Sequence, residues 1–440
     1  MREEFLHYLW RTRRFERDAL RLTDGTALDV LQFGNYNIGD GPDFSEGRVR
    51  IGDTVWAGHI EMHINSSDWH KHRHQFDPAY DNVVLHVVWR DDEPVLNARG
   101  TALPTLVLKD LVDAGLLSRY DELAADESAI PCQAHLDSVP ELVLNGWIER
   151  MTLQRLERKT DELHRLLRAK GGDWDGAYFH QVGRCLGLPM NAGAMDMLLE
   201  RLPLSLLGRY RTDRVALEAL LLGVGGFLEG EYLDEYPRQL QREYRHLANK
   251  HQLSIVPRSA WSFRGLRPAS FPTMRLVQLA ALVHAQPRAF DGVLENDTPK
   301  ALLALFEQEP HPYWRTHYLP DRPSGARRKV IGKTAAQAVL INAVVPFVFL
   351  YGRLQGRAEL EERALALLDR LPAERNGVMK QWRRVGLQAE NAAESQGLLT
   401  LRKAYCVPRR CLECAIGHCL LKRGKQVQLA PRAEEQLAAA

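Results

Sequence analysis

Apolar positions recur at helical spacing near the start of the chain, where Phe5, Leu6, Leu9 and Trp10 share one stripe and predict an amphipathic helix over residues 3–14. A different texture follows. Segments 27–33, 48–52, 55–64 and 82–89 are rich in β-branched and aromatic residues and are bounded by Gly, Asn and Asp, which predicts strands. Between the last two, Ser66-Ser67-Asp68 supplies an N-cap, so a helix is expected over residues 69–79. Segment 103–108 adds a strand, with Pro104 near its start, where a missing amide donor is tolerated. The order is helix, three strands, helix, strand: an α+β domain with a mixed sheet, expected over residues 1–125.

Past residue 140 the pattern lengthens to the helical period. Segments 141–170 and 214–227 are Leu-, Ala- and Arg-rich, while 258–273 and 320–328 read as connecting loops, so a mainly α-helical domain is expected over residues 140–400. The most apolar stretch, residues 335–351, is broken by Gln337, Asn342 and Pro346. A bilayer span needs about 20 cleaner positions. A buried helix and no membrane partner are therefore expected.

The composition, 45% hydrophobic and 26% charged over 440 residues, matches folded globular chains and excludes a largely disordered one. The first 17 residues mix charges with aromatics and hold no apolar signal-peptide centre, so a cytoplasmic location is expected. Net charge is only +2, but residues 1–120 carry 14 Lys+Arg against 19 Asp+Glu, a balance of −5, which leaves +7 for the remainder. An acidic front suits metal binding and a basic back suits a polyanion.

The chemistry concentrates in the first domain. Gly41-Pro42-Asp43-Phe44 opens a strand, and His59, Glu61 and His63 alternate along the next one, so all three are expected on one face. If the hairpin folds back, Asp43 approaches Glu61 and the two can share a divalent cation. Two carboxylates suit Mg²⁺, and imidazoles shift the preference toward Mn²⁺ or Zn²⁺. Six of the 16 histidines lie between His59 and His86. His70 and His74 would share a helix face with Asp77, making His74 a further candidate ligand, whereas His86 lies in phase with Val84 and Val88 and reads as core. The plain alternative is a turn aspartate, a surface glutamate and solvated histidines.

A second cluster closes the chain. Cys406-x4-Cys411-x2-Cys414-x4-Cys419 has loops short enough for four thiolates to meet on Zn²⁺, with His418 as an alternative ligand, so a C-terminal Cys-rich metal-binding segment is expected over residues 401–425. Cys132 and Cys185 read as isolated core residues. Arg402, Arg409, Arg410 and Lys422, with Lys403, Arg423 and Lys425, make this segment basic enough to contact nucleic-acid phosphates, although a solvated charged face accounts for them equally well. Gly332-Lys333-Thr334 is no phosphate loop, because Gly325 stands two positions too far upstream and no strand precedes it.

Pro42-Asp43 followed by Glu61-x-His63, after a helix bearing Glu3 and Glu4, resembles the PD-(D/E)XK nuclease core over roughly residues 1–110. The longer pattern, Gly41-Pro42-Asp43-Phe44, Gly58-His59-Ile60-Glu61-Met62-His63, Ser67-Asp68-Trp69 and Leu85-His86-Val87-Val88, is similar to an uncharacterised bacterial family known only as a domain of unknown function, over most of the chain. The nuclease resemblance implies a metal-dependent enzyme that hydrolyses phosphodiester bonds in DNA or RNA. It implies that Asp43 and Glu61 hold Mg²⁺ or Mn²⁺, that Glu4 or Glu3 reaches the site, and that His63 stands where the pattern has Lys. It also keeps an iron–sulfur cluster open at the cysteines, since some nucleases of that superfamily carry one. A histidine can accept a proton from water or bind the metal, but it brings no fixed positive charge. A catalytically silent nucleic-acid-binding or scaffold protein and a His-rich metallohydrolase of a small substrate remain as alternatives.

Overall fold

The computed structural model describes residues 1–37 and 39–422. The chain divides into two compact units, Met1–Trp147 together with the residues from Arg402 onward, and Ile148–Leu401. The cysteine segment thus counts with the first unit, not as a separate piece. Lys425 and Arg423 lie outside the described residues.

In the first unit, helix α1 (Glu3–Thr12) buries Phe5, Leu6, Tyr8, Leu9 and Trp10 and carries Glu3 and Glu4 in its first turn, where the helix dipole favours negative charge. Six strands follow: β1 (Leu28–Gln32), β2 (Asn35–Tyr36), β3 (Phe44–Ile51), β4 (Thr54–Asn65), β5 (Val83–Arg90) and β6 (Thr105–Val107). They form one mixed sheet in the order β1-β3-β4-β5-β6, with β2 paired to β3. β3 and β4 make an antiparallel hairpin, whereas β4–β5 and β5–β6 are parallel. β4 is therefore flanked on both sides, and its second half, Gly58 and Ile60 to His63, is buried. A strand so enclosed should be apolar throughout. Glu61 and His63 break that rule at 5% and 1% exposure, which marks them as functional candidates.

The helix expected over residues 69–79 does not form. A four-residue helix, Asp68–Lys71, is followed by Arg73 in the left-handed region (φ 64°) and by two 3-10 turns, His74–Phe76 and Pro78–Tyr80. Two causes are local. Residues 70–79 have no apolar stripe to bury, and the Asp77 carboxylate accepts from the Ala79 N–H to start a turn at Pro78. His70 and His74 consequently diverge: His70 Nε2 lies 3.8 Å from Glu93, while His74 turns inward.

The second unit is helical around one apolar core, with helices at Trp174–Leu186, Arg214–Val224, Glu235–His251, Pro272–Ala285 and Ala358–Arg370 among others. The segment read as a loop over residues 320–328 contains part of a small hairpin, His317–Leu319 with Arg322–Pro323. Among the described residues one helix, Lys333–Gln355, is long and apolar enough to cross a bilayer, and its apolar window is 72% buried in the protein. It packs as a core helix. Pro346 lacks the N–H that would bond the Asn342 carbonyl; the helix widens into a π turn over Leu340–Val344, and Gln181 Nε2 donates to that carbonyl at 3.0 Å.

Candidate metal centre

Hairpin register brings the acidic pair together. Phe44 pairs with Ile60, so Asp43 stands opposite Glu61. The Asp43 N–H donates to Glu61 Oε2 (3.0 Å), and the Met62 N–H donates to Asp43 Oδ2 (3.0 Å), so each carboxylate is fixed by the other strand's backbone. α1 packs over this point and adds His7, whose Nε2 lies 3.2 Å from Asp43 Oδ2. Glu3, one turn before His7, is the glutamate of the first turn that senses the site: burial and then Asp43 push its carboxyl up to about 7. Glu4 faces elsewhere, in a crevice with Tyr120, Arg409 and Cys411. The helical phase favours Glu3 over Glu4.

The imidazoles gather on the other side of Glu61. His63 Nε2 and His74 Nε2 lie 3.6 and 3.4 Å from Glu61 Oε1. His63 Nδ1 is 2.8 Å from His86 Nε2, and His63 Nε2 is 3.1 Å from His72 Nδ1. The ligating atoms of His63, His72 and His74 all lie within 4.8 Å of one another, close enough to hold one metal ion. Tyr80 stacks on His74 with ring centroids 3.8 Å apart and holds its orientation. His59 does not join. The ladder slips between His59 and Ile60, and His59 lines a crevice with Gln32, Glu46 and Asn82.

Electrostatics follow from crowding. Burial, reinforced by Asp43, pushes Glu61 up to about 9. Burial and then the neighbouring imidazoles push His63 down to about 2, and burial with His72 pushes His74 down to about 4. His63 is thus a neutral imidazole and cannot act as the fixed cation a lysine would supply. Glu61 and Glu3, kept from ionising by burial and by the nearby Asp43, beside the uncharged His63 and His74, are what a divalent cation would relieve.

The donors fit such an ion. His74 Nε2 is buried without a hydrogen-bond partner, as a ligand atom would be. Mixed nitrogen and carboxylate donors favour Mn²⁺ or Zn²⁺ over Mg²⁺, which prefers oxygen alone. Sequence reading missed His72 and His7, and set His86 aside as core. His7 was available through its four-residue spacing from Glu3; His72 had no signal before the helix was seen to break.

The C-terminal candidates sort differently. His418 Nδ1 is 3.1 Å from the Tyr8 hydroxyl, and Cys419 lies on the helix Ala415–Lys422. Arg409 donates to the Ser128 carbonyl (2.8 Å), and Arg410 is paired with Glu413. Arg402 is half-buried, and Lys422 rims a crevice with Arg13, Arg14 and Arg119. Two of the four cations proposed for phosphate are therefore already engaged by the protein. No curated protein and no solved structure matches the chain. Over residues 3–377 it matches the family described as "Protein of unknown function (DUF2851)", and to that family it belongs.

Proposed function

We propose that this protein is a metal-dependent nuclease of the PD-(D/E)XK type, acting on phosphodiester bonds in DNA or RNA. The observation that carries the reading is the meeting of Asp43 and Glu61 at the antiparallel edge of β4, under a helix that adds Glu3. Asp43, Glu61 and Glu3 would hold the cation. When bound, it would stabilise charge on the phosphate and acidify water at neutral pH. His63, neutral and 3.6 Å from Glu61, would join the ligands of the cation instead of taking the proton of the attacking water, since an imidazole pushed down to about 2 is too weak a base at neutral pH. His7 and the Met62 N–H hold Asp43 in place. Lys422 with Arg13, Arg14 and Arg119 offers cations for the substrate backbone.

One observation favours a second reading. The trio of His63, His72 and His74 beside Glu61 is a nitrogen-rich set suited to Zn²⁺ or Mn²⁺ in a hydrolase of small substrates. Labelled single- and double-stranded DNA and RNA, incubated with the protein and Mg²⁺, Mn²⁺ or Zn²⁺, test both. Cleavage is expected with Mn²⁺, and Asp43→Ala or Glu61→Ala should each reduce it at least about 100-fold, as loss of a group stabilising transition-state charge does. Cleavage that survives both substitutions sinks the assignment. Salt-dependent binding without turnover under every metal would instead identify a silent binding protein.

A further inference from the structure

Cys132 and the C-terminal cysteines lie far apart along the chain, yet they fall in the same compact unit. Cys132 precedes the 3-10 turn Gln133–Ser138, Cys406 ends a π turn (Arg402–Cys406), Cys411 opens the turn Cys411–Glu413, and Cys414 precedes the helix Ala415–Lys422. Cys132, Cys406 and Cys414 are buried, and all are free thiols. The Arg409 guanidinium bonded to the Ser128 carbonyl ties the C-terminal segment to the stretch that leads into Cys132. The Cys414 N–H donates to the Cys411 carbonyl (3.3 Å), and Gly417 packs so closely on Cys411 that a Cβ would lie 2.1 Å from its carbonyl oxygen.

The six pairs among these four thiols all lie close enough to interact electrostatically.

We propose that Cys132, Cys406, Cys411 and Cys414 form a four-thiolate site for a thiophilic metal centre, a zinc ion or an iron–sulfur cluster, that staples the C-terminal segment to the first unit. Cys132 replaces Cys419 in the ligand set suggested by spacing along the chain. The site is independent of the nuclease reading.

The test is to purify the full chain without oxygen and measure zinc, iron and acid-labile sulfide. One sulfur-bound centre per chain is expected, retained by Cys419→Ser and lost from Cys132→Ser and Cys411→Ser. Because those two variants can fail to fold, the wild-type chain is also alkylated before and after chelation and its modified cysteines are mapped. Metal should protect Cys132, Cys406, Cys411 and Cys414 and leave Cys419 reactive throughout. A chain purified free of zinc and iron, or a protected set that holds Cys419 and omits Cys132, overturns the proposal.

Discussion

Buried carboxylates in this chain have two different fates. Glu61 faces other titrating groups, whereas Glu218, fully buried in the second unit, accepts from the Tyr236 hydroxyl (2.8 Å), the Trp314 indole (2.6 Å) and the His311 N–H (2.9 Å). Burial outweighs those donors and pushes Glu218 from its ordinary 4.5 up to about 7. The unfolded chain ionises near 4.5 and the folded one holds its proton to about 7, so this contribution is full below 4.5 and is lost as pH rises through 7. The loss should reach about 3 kcal/mol, from a shift of about 2.5 units at about 1.36 kcal/mol each. Denaturant titrations across that window should show it, and Glu218→Gln should flatten the profile whatever constant offset the amide introduces. At this scale the sequence was legible where chemistry contradicts its surroundings: a glutamate inside the apolar run from Ile60 to Ile64 has few bland explanations. Cys132 had no such contrast, because a lone cysteine fits any core.

Strand pairing was readable because its cause is local. The hairpin β3–β4 follows from two β-rich runs around Gly52 and Asp53, and its register alone brings Asp43 to Glu61. The histidine group was not readable, because it depends on a helix that stops early. Trp69 anchors Asp68–Lys71, and nothing after it is apolar enough to extend the helix, so His72 and His74 reach His63 by way of a left-handed residue at Arg73. Gly58 offers a test at this scale. A Cβ there would lie 2.3 Å from the Asn82 carbonyl oxygen and 2.6 Å from Val84 Cγ1, beside the slip that re-aims β4 before Glu61. Gly58→Ala should cost about 1–3 kcal/mol through the backbone shift it forces. Equilibrium unfolding should record that loss, and metal binding at the histidine centre should weaken with it.

At the scale of the molecule, the boundaries expected at residues 125, 140 and 400 describe texture along the chain, while compactness follows a different rule. The first unit takes residues from both ends and the helical unit is the stretch between. Texture could not reveal this, since residues 402–422 look like an appendix until Tyr8 is seen 3.1 Å from His418 and Arg409 on Ser128. Ending the chain after Leu401 should therefore lower the melting of the first unit and leave that of the helical unit nearly unchanged, two transitions that calorimetry can follow separately. The same connectivity constrains biosynthesis. A ribosome releases the Asp43–Glu61 hairpin before the helical stretch and the cysteine segment after it, so the middle stretch can fold while its neighbour still waits for its closing piece. A prematurely terminated transcript would then yield a folded helical body attached to an unfinished first unit.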